Sequence, residues 1–179
     1  MSPVGAMATI FEMIDLRSFS NLWFWLSLAI VWSTASHWVL GVPFDLVLRA
    51  HRKGGQIEED MRDLVRINVN RLLYIADTAG VIVVGVMSFA LTVLGLLGFF
   101  YWVEFCQALL LIALPMSLVW LLSVRTARRL DARPQMTTQE LYARIRALRL
   151  SIQIIGLFAV LVTSFWGMFV NGSRGILGG

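Results

Sequence analysis

The sequence predicts an all-α fold, an integral membrane four-helix bundle, and three observations carry that expectation. Hydrophobic residues make up 58% of the 179-residue chain and charged residues only 15%, against roughly 25% charge in soluble globular proteins. The apolar residues gather into four nearly uncharged runs of membrane-spanning length. Thirteen of the fifteen Lys and Arg residues fall in two segments between those runs. A chain this short could not hide so much apolar surface in a water-soluble core, and its mean hydropathy of +0.76 argues against a soluble enzyme.

A helix rises ~1.5 Å per residue, so ~20 apolar residues cross the ~30 Å of hydrocarbon in a bilayer. Four stretches meet that length: Asn21–Val42, Tyr74–Trp102, Phe105–Val124 and Leu150–Val170. The second is free of charge from Thr78 onward. It is separated from the third by little more than Val103-Glu104, which predicts a tight antiparallel hairpin with Phe99, Phe100, Tyr101 and Trp102 at the headgroup level. Trp23 and Trp25 open the first run, and Trp166 lies near the end of the fourth. Trp32, near mid-membrane, reads as a packing residue.

Direction follows from the bases. Arg49, Arg52, Lys53, Arg62, Arg66 and Arg71 lie in residues 43–73, and Arg125, Arg128, Arg129, Arg133, Arg144, Arg146 and Arg149 in residues 125–149. The positive-inside rule places both segments in the cytoplasm and both chain ends outside. Arg49, Arg52, Lys53, Arg125, Arg128, Arg129 and Arg133 are the candidate contacts to lipid headgroups or to a soluble partner. The net charge of +4 is therefore a topological signal, and no nucleic-acid partner is expected.

Both basic segments should be partly helical. Phe44–Lys53 mixes apolar residues with bases and stops at Gly54-Gly55. Glu58, Glu59 and Asp60 then suit the positive end of a helix dipole, ahead of Ile57, Met61, Leu64 and Leu72 at helical spacing. Arg133-Pro134 breaks the chain, and Thr137-Thr138-Gln139-Glu140 has capping-box form before Leu141, Ile145 and Leu148 line one face. That helix is expected to run on into the fourth membrane helix. Glu58–Arg62 and Glu140–Arg144 have the i,i+4 spacing of helix-supporting ion pairs.

Reaction chemistry is sparse. The sequence has no phosphate-binding glycine loop, zinc-spaced His/Cys cluster or nucleophile elbow, and one cysteine, Cys106, cannot alone hold a cluster. A non-enzymatic role is expected, without a metal. His37 and Asp77 stand out as ionisable side chains within apolar runs, costly in lipid unless partnered. Their similar depth predicts that they meet, either as a hydrogen-bonded clamp between the first two helices or as part of a proton or ion path. Ala29 and Ser33 with His37, and Ala76 and Gly80 beside Asp77, form small-residue stripes suited to close helix packing. A pigment or haem ligated by His37 is a further, spectroscopically testable reading, though no cofactor is expected. Glu104 and Asp45 read as solvated residues at the membrane surface, and Pro115 as a bend in the third helix.

The stretches Asp15-Leu-Arg-Ser-Phe-Ser-Asn-Leu-Trp-Phe-Trp, Ser36-His-Trp-Val-Leu-Gly-Val-Pro-Phe-Asp and Arg66-Ile-Asn-Val-Asn-Arg-Leu-Leu-Tyr-Ile-Ala, with Val103-Glu-Phe and Arg125-Thr-Ala-Arg-Arg, resemble a family of small multi-pass membrane proteins of photosynthetic-type, Rhodobacter-like alphaproteobacteria. The resemblance covers roughly residues 10 to 130. It implies a bacterial inner-membrane setting, and the family label, component of the SufBCD complex, implies a link to iron–sulfur assembly through the basic segments. The functional expectation is a non-catalytic accessory or assembly subunit of a larger inner-membrane complex, respiratory or photosynthetic, in contact with lipids and other integral subunits. The alternatives are a membrane anchor for SufBCD and a small transporter built on Asp77 and His37.

Overall fold

A computed structural model describes Phe19, residues 22–133 and residues 135–177, with side chains through Gly172. The protein is almost entirely helical among these residues. α1 (Leu22–His37) leads into a two-stranded hairpin, β1 (Trp38–Val39) and β2 (Val42–Pro43), followed by α2 (Phe44–Lys53), α3 (Gln56–Gly95), α4 (Glu104–Asp131) and α5 (Thr138–Leu177). The last turn of α3 widens into π-helix at Leu96–Phe100. Three of these helices, in α3, α4 and α5, are long and apolar enough to cross a membrane. Both chain ends, whose sidedness the arginine bias predicts, lie outside the described residues, as does Pro134.

The first apolar run departs from expectation. It is not helical to Val42: α1 ends at His37, after 16 residues, about 24 Å of rise. The chain then reverses, with Trp38 paired to Pro43 and Val39 to Val42. Leu40 and Gly41 form the loop with φ of 54° and 72°, the paired left-handed geometry of a two-residue hairpin turn. Pro43 cannot continue a helix from the residues before it, but its φ of −62° suits the residue that launches α2. The turn is braced from outside, because Asn68 Nδ2 donates to the carbonyls of Leu64, at 2.9 Å, and Gly41, at 3.5 Å. A β-carbon on Gly41 would stand 2.8 Å from Asn68 Oδ1, so glycine is required twice over here.

Both basic segments are largely helical and continuous with the apolar runs. α3 joins the acidic turn at Glu58-Glu59 to the second run without a break, and α5 joins the later part of the second basic segment to the fourth run. The capping box forms as the sequence predicts: Thr137 Oγ1 accepts from the Glu140 backbone N–H at 3.3 Å, and Glu140 Oε2 accepts from the Thr137 N–H at 3.4 Å. Glu140 is thereby committed to the cap rather than to Arg144.

Most of the tightest burial lies at the arginine-rich end. Met61, Val65 and Val69 of α3, Val47 and Ala50 of α2, Ala127 and Leu130 of α4, and Leu141, Ile145 and Leu148 of α5 meet in one apolar cluster. Their spacing of three and four residues puts each set on one helix face. Further along, the helices pack in the order α3, α4, α5, α1. α1 lies against α5: a β-carbon on Gly156 would fall 2.7 Å from the Trp32 ring, and one on Gly167 would fall 3.4 Å from Phe19. Trp32 is thus the packing residue its position predicts.

Candidate functional site

Polar side chains gather at three levels. At the arginine-rich end, Glu58 and Arg62 share a face of α3 one turn apart, and the capping segment ahead of α5 crosses them. Arg62 donates through Nη1 to the Met136 carbonyl at 3.0 Å and through Nη2 to Thr138 Oγ1 at 2.5 Å. Its Nε reaches Glu58 Oε1 at 3.3 Å, and the Thr138 hydroxyl donates to the same carboxylate. The Thr138 hydrogen bond first, and the Arg62 guanidinium after it, hold the Glu58 carboxyl below its usual range. The predicted Glu58–Arg62 pair therefore forms, and it also fastens α5 to α3. Beside this lock, Arg66, Asn70, Asp131 and Arg133 line a cleft of about 450 Å³ with Val65 and Leu141 in its wall.

The second level holds the two ionisable residues of the apolar runs, and the structure does not bring them together. His37 Nε2 lies 3.7 Å from Asp45 Oδ1 across the hairpin, while Asp77 Oδ1 accepts from Arg128 Nη2 at 3.1 Å. The clamp is corrected by the helix order: α1 packs on α5, and α3 packs on α4, so the partner within reach of Asp77 is on α4. The relay that needed the same contact loses its pair. The small-residue stripes fare similarly. Ala29 and Ser33 are exposed on α1, and nothing lies within 4 Å of a β-carbon placed on Gly80. Ala76 is half-buried. Close helix approach occurs instead at Gly156, Gly167 and Gly98. The His37 side chain is 53% exposed and stands edge-on to Trp38.

The basic candidates divide the same way. Arg49 pairs with Asp45 at 3.3 Å one turn earlier in α2, and Arg128 is engaged by Asp77. Arg52, Lys53, Arg125, Arg129 and Arg133 are exposed. Asp45 is exposed, as expected, and carries two basic neighbours, His37 and Arg49.

The third level, at the α3–α4 turn, corrects another expectation. Glu104 is 5% exposed, not solvated, and its Oε1 accepts from the Phe19 backbone N–H at 2.9 Å. Gln107, 1% exposed, donates to the Gly98 carbonyl at 2.7 Å and accepts from the Trp166 indole at 3.0 Å. Trp25 donates to the Phe19 carbonyl at 3.2 Å. A β-carbon at Gly98 would sit 3.0 Å from the Gln107 backbone nitrogen. These contacts tie the hairpin tip to α5 and to the entry of α1, burying polar groups only where partners satisfy them. Sequence reading missed Gln107, although two polar residues three apart at the start of α4 share a helix face and signal an inward polar strip.

No family model, curated protein or solved structure matches this chain. Function therefore rests on the geometry. Among the described residues, no three or more His, Cys, Asp or Glu side chains come together as a metal site. Most of the polar contacts at these three levels join one element to another, and what they can do chemically is fix how the helices pack.

Proposed function

We propose that the chain is a non-catalytic accessory or assembly subunit of a larger bacterial inner-membrane complex, crossing the membrane four times with both ends outside. The observation that carries this reading is the apolar half of α3: none of its most apolar 18-residue stretch is buried, and Val81 is 89% and Phe89 71% exposed. Such a surface needs lipid or other membrane helices around it. The row of helices leaves α1 and α3 each with one long-helix neighbour, α5 and α4 respectively, which gives partner subunits two open flanks.

The fourth crossing is supported by packing rather than by the length of α1. Phe19 lies beside Gly167, Trp32 over Gly156, and Phe44 under the Arg149 guanidinium at 3.9 Å. Phe19, Trp32 and Phe44 therefore touch α5 at points spread over 18 of its residues, about 27 Å, close to the hydrocarbon thickness. Alkaline phosphatase fused after Gly179 should be active outside the inner membrane; inactivity there with a bright cytoplasmic fluorescent fusion would reverse the topology.

Gentle detergent extraction followed by size fractionation tests the subunit role. The chain should co-elute with other integral membrane proteins as a defined complex, and elution as a lone chain would refute the role. A second reading, an anchor for a soluble partner such as SufBCD, is favoured by the exposed Arg125, Arg129 and Arg133. It predicts recruitment of a soluble protein that is lost on neutralising them.

A further inference from the structure

Where the arginine-rich end meets the apolar runs, the hairpin turn leans over α3 and leaves a groove of about 360 Å³. It is lined by Trp38 and Gly41 of the hairpin, Asn68, Arg71 and Ile75 of α3, and Ser123 of α4. Arg71 is the last base before the apolar part of α3. It is exposed and has no carboxylate within ion-pair distance among the described residues. Below this level α1 does not pack along α3.

We infer that this groove binds the headgroup of one anionic phospholipid of the phosphatidylglycerol type, with an acyl chain descending between α1 and α3. This rests on the membrane reading above. Basic pockets between membrane helices on the cytoplasmic side are suited to lipid headgroups, and here the chemistry narrows the class. Arg71 supplies a fork of donors for a phosphate. No acidic side chain lines the groove, so the ammonium of an ethanolamine or choline headgroup would find no counter-charge. Glycerol hydroxyls would find acceptors: Ser123 uses its proton on the Val119 carbonyl at 2.8 Å, leaving its oxygen free to accept, and Asn68 spends its amide nitrogen on Leu64 and Gly41, leaving its carbonyl oxygen. Trp38, a half-exposed lining residue, has the amphipathic ring that settles at a headgroup boundary. Ile75, one turn below Arg71, begins an apolar wall for the chain.

The full chain, extracted in mild detergent and analysed by native mass spectrometry, should retain one phosphatidylglycerol in preference to phosphatidylethanolamine. Arg71→Gln should weaken retention about fivefold, the effect of one arginine near an anionic surface. Ile75→Glu, which keeps Arg71 but sets an acid beneath it, should weaken it as well, and decides the matter if the first variant folds poorly. Arg146→Gln, on α5, should change nothing. Retention unaffected by both groove variants, indifference to headgroup, or displacement by inorganic phosphate alone would overturn the site. Alkaline carbonate washing of native membranes keeps the two claims distinct: release of the chain sinks the membrane reading itself, whereas a chain that stays in the membrane but holds no lipid sinks only the groove.

Discussion

α3 is one uninterrupted helix with two contrasting halves. In the first, rich in Glu, Asp and Arg, Met61, Val65 and Val69 are 1–5% exposed. In the second, almost without charge, Val81, Ile82, Val86 and Phe89 are all more than 60% exposed. In water this would be inverted, because burial follows apolar content where the hydrophobic effect acts. On the proposed membrane reading, the two halves answer to different solvents. The charged half buries its apolar stripe against α2, α4 and α5, while in a bilayer lipid tails would satisfy the other half as well as protein would. What joins the apolar parts of the helices is shape and hydrogen bonding: Trp32 on Gly156, and Gln107 between Gly98 and Trp166.

The largest effect that could break this comparison is in the charged half. Met61→Ala should cost about 2–5 kcal/mol, the range for emptying a packed core site, whereas Ile82→Ala should stay within ~0.5 kcal/mol; thermal unfolding in detergent measures both. Equal costs would mean that the apolar half is packed as well. Next in size, Gly156→Val should cost about 1–3 kcal/mol by overpacking against Trp32, and Gly80→Ala, which meets open space, should cost nothing measurable in the same assay.

A smaller effect concerns acid. The Glu58 carboxyl is lowered in the folded chain by the Thr138 hydroxyl. Its contribution is thus fully present above the ordinary glutamate pKa and is lost as pH falls through the lowered one. Thr138→Val should flatten that acid-side decline in an unfolding series against pH, and an unchanged profile would remove the lock from the account.

Much of the helical framework is legible in the sequence because it rests on local rules. The apolar runs, the Thr137–Glu140 cap and the tight turn before Glu104 each depend on residues within a few positions of one another. What is not legible is which helix lies beside which. His37 and Asp77 share a depth, but depth does not fix neighbours, and Trp32 seated on Gly156 draws α1 to α5 instead. The hairpin after His37 was hidden because Val39, Leu40 and Val42 read as apolar helix. Only Gly41-Val-Pro43 hints at the reversal, and the turn is completed by Asn68, remote in sequence. Glu104 was misread because its position at a tip suggested water, while its partner is a backbone N–H 85 residues away.

The most direct test places spin labels along α3 in the chain reconstituted alone in lipid nanodiscs, on a Cys106→Ala background. A label at Val81 should be relaxed by oxygen, which concentrates in hydrocarbon, and shielded from a water-soluble nickel chelate. A label at Ile67, exposed on the charged half, should respond the opposite way. Nickel access at Val81 equal to that at Ile67 would mean that the two halves share one solvent, and the contrast on which this account rests would be wrong.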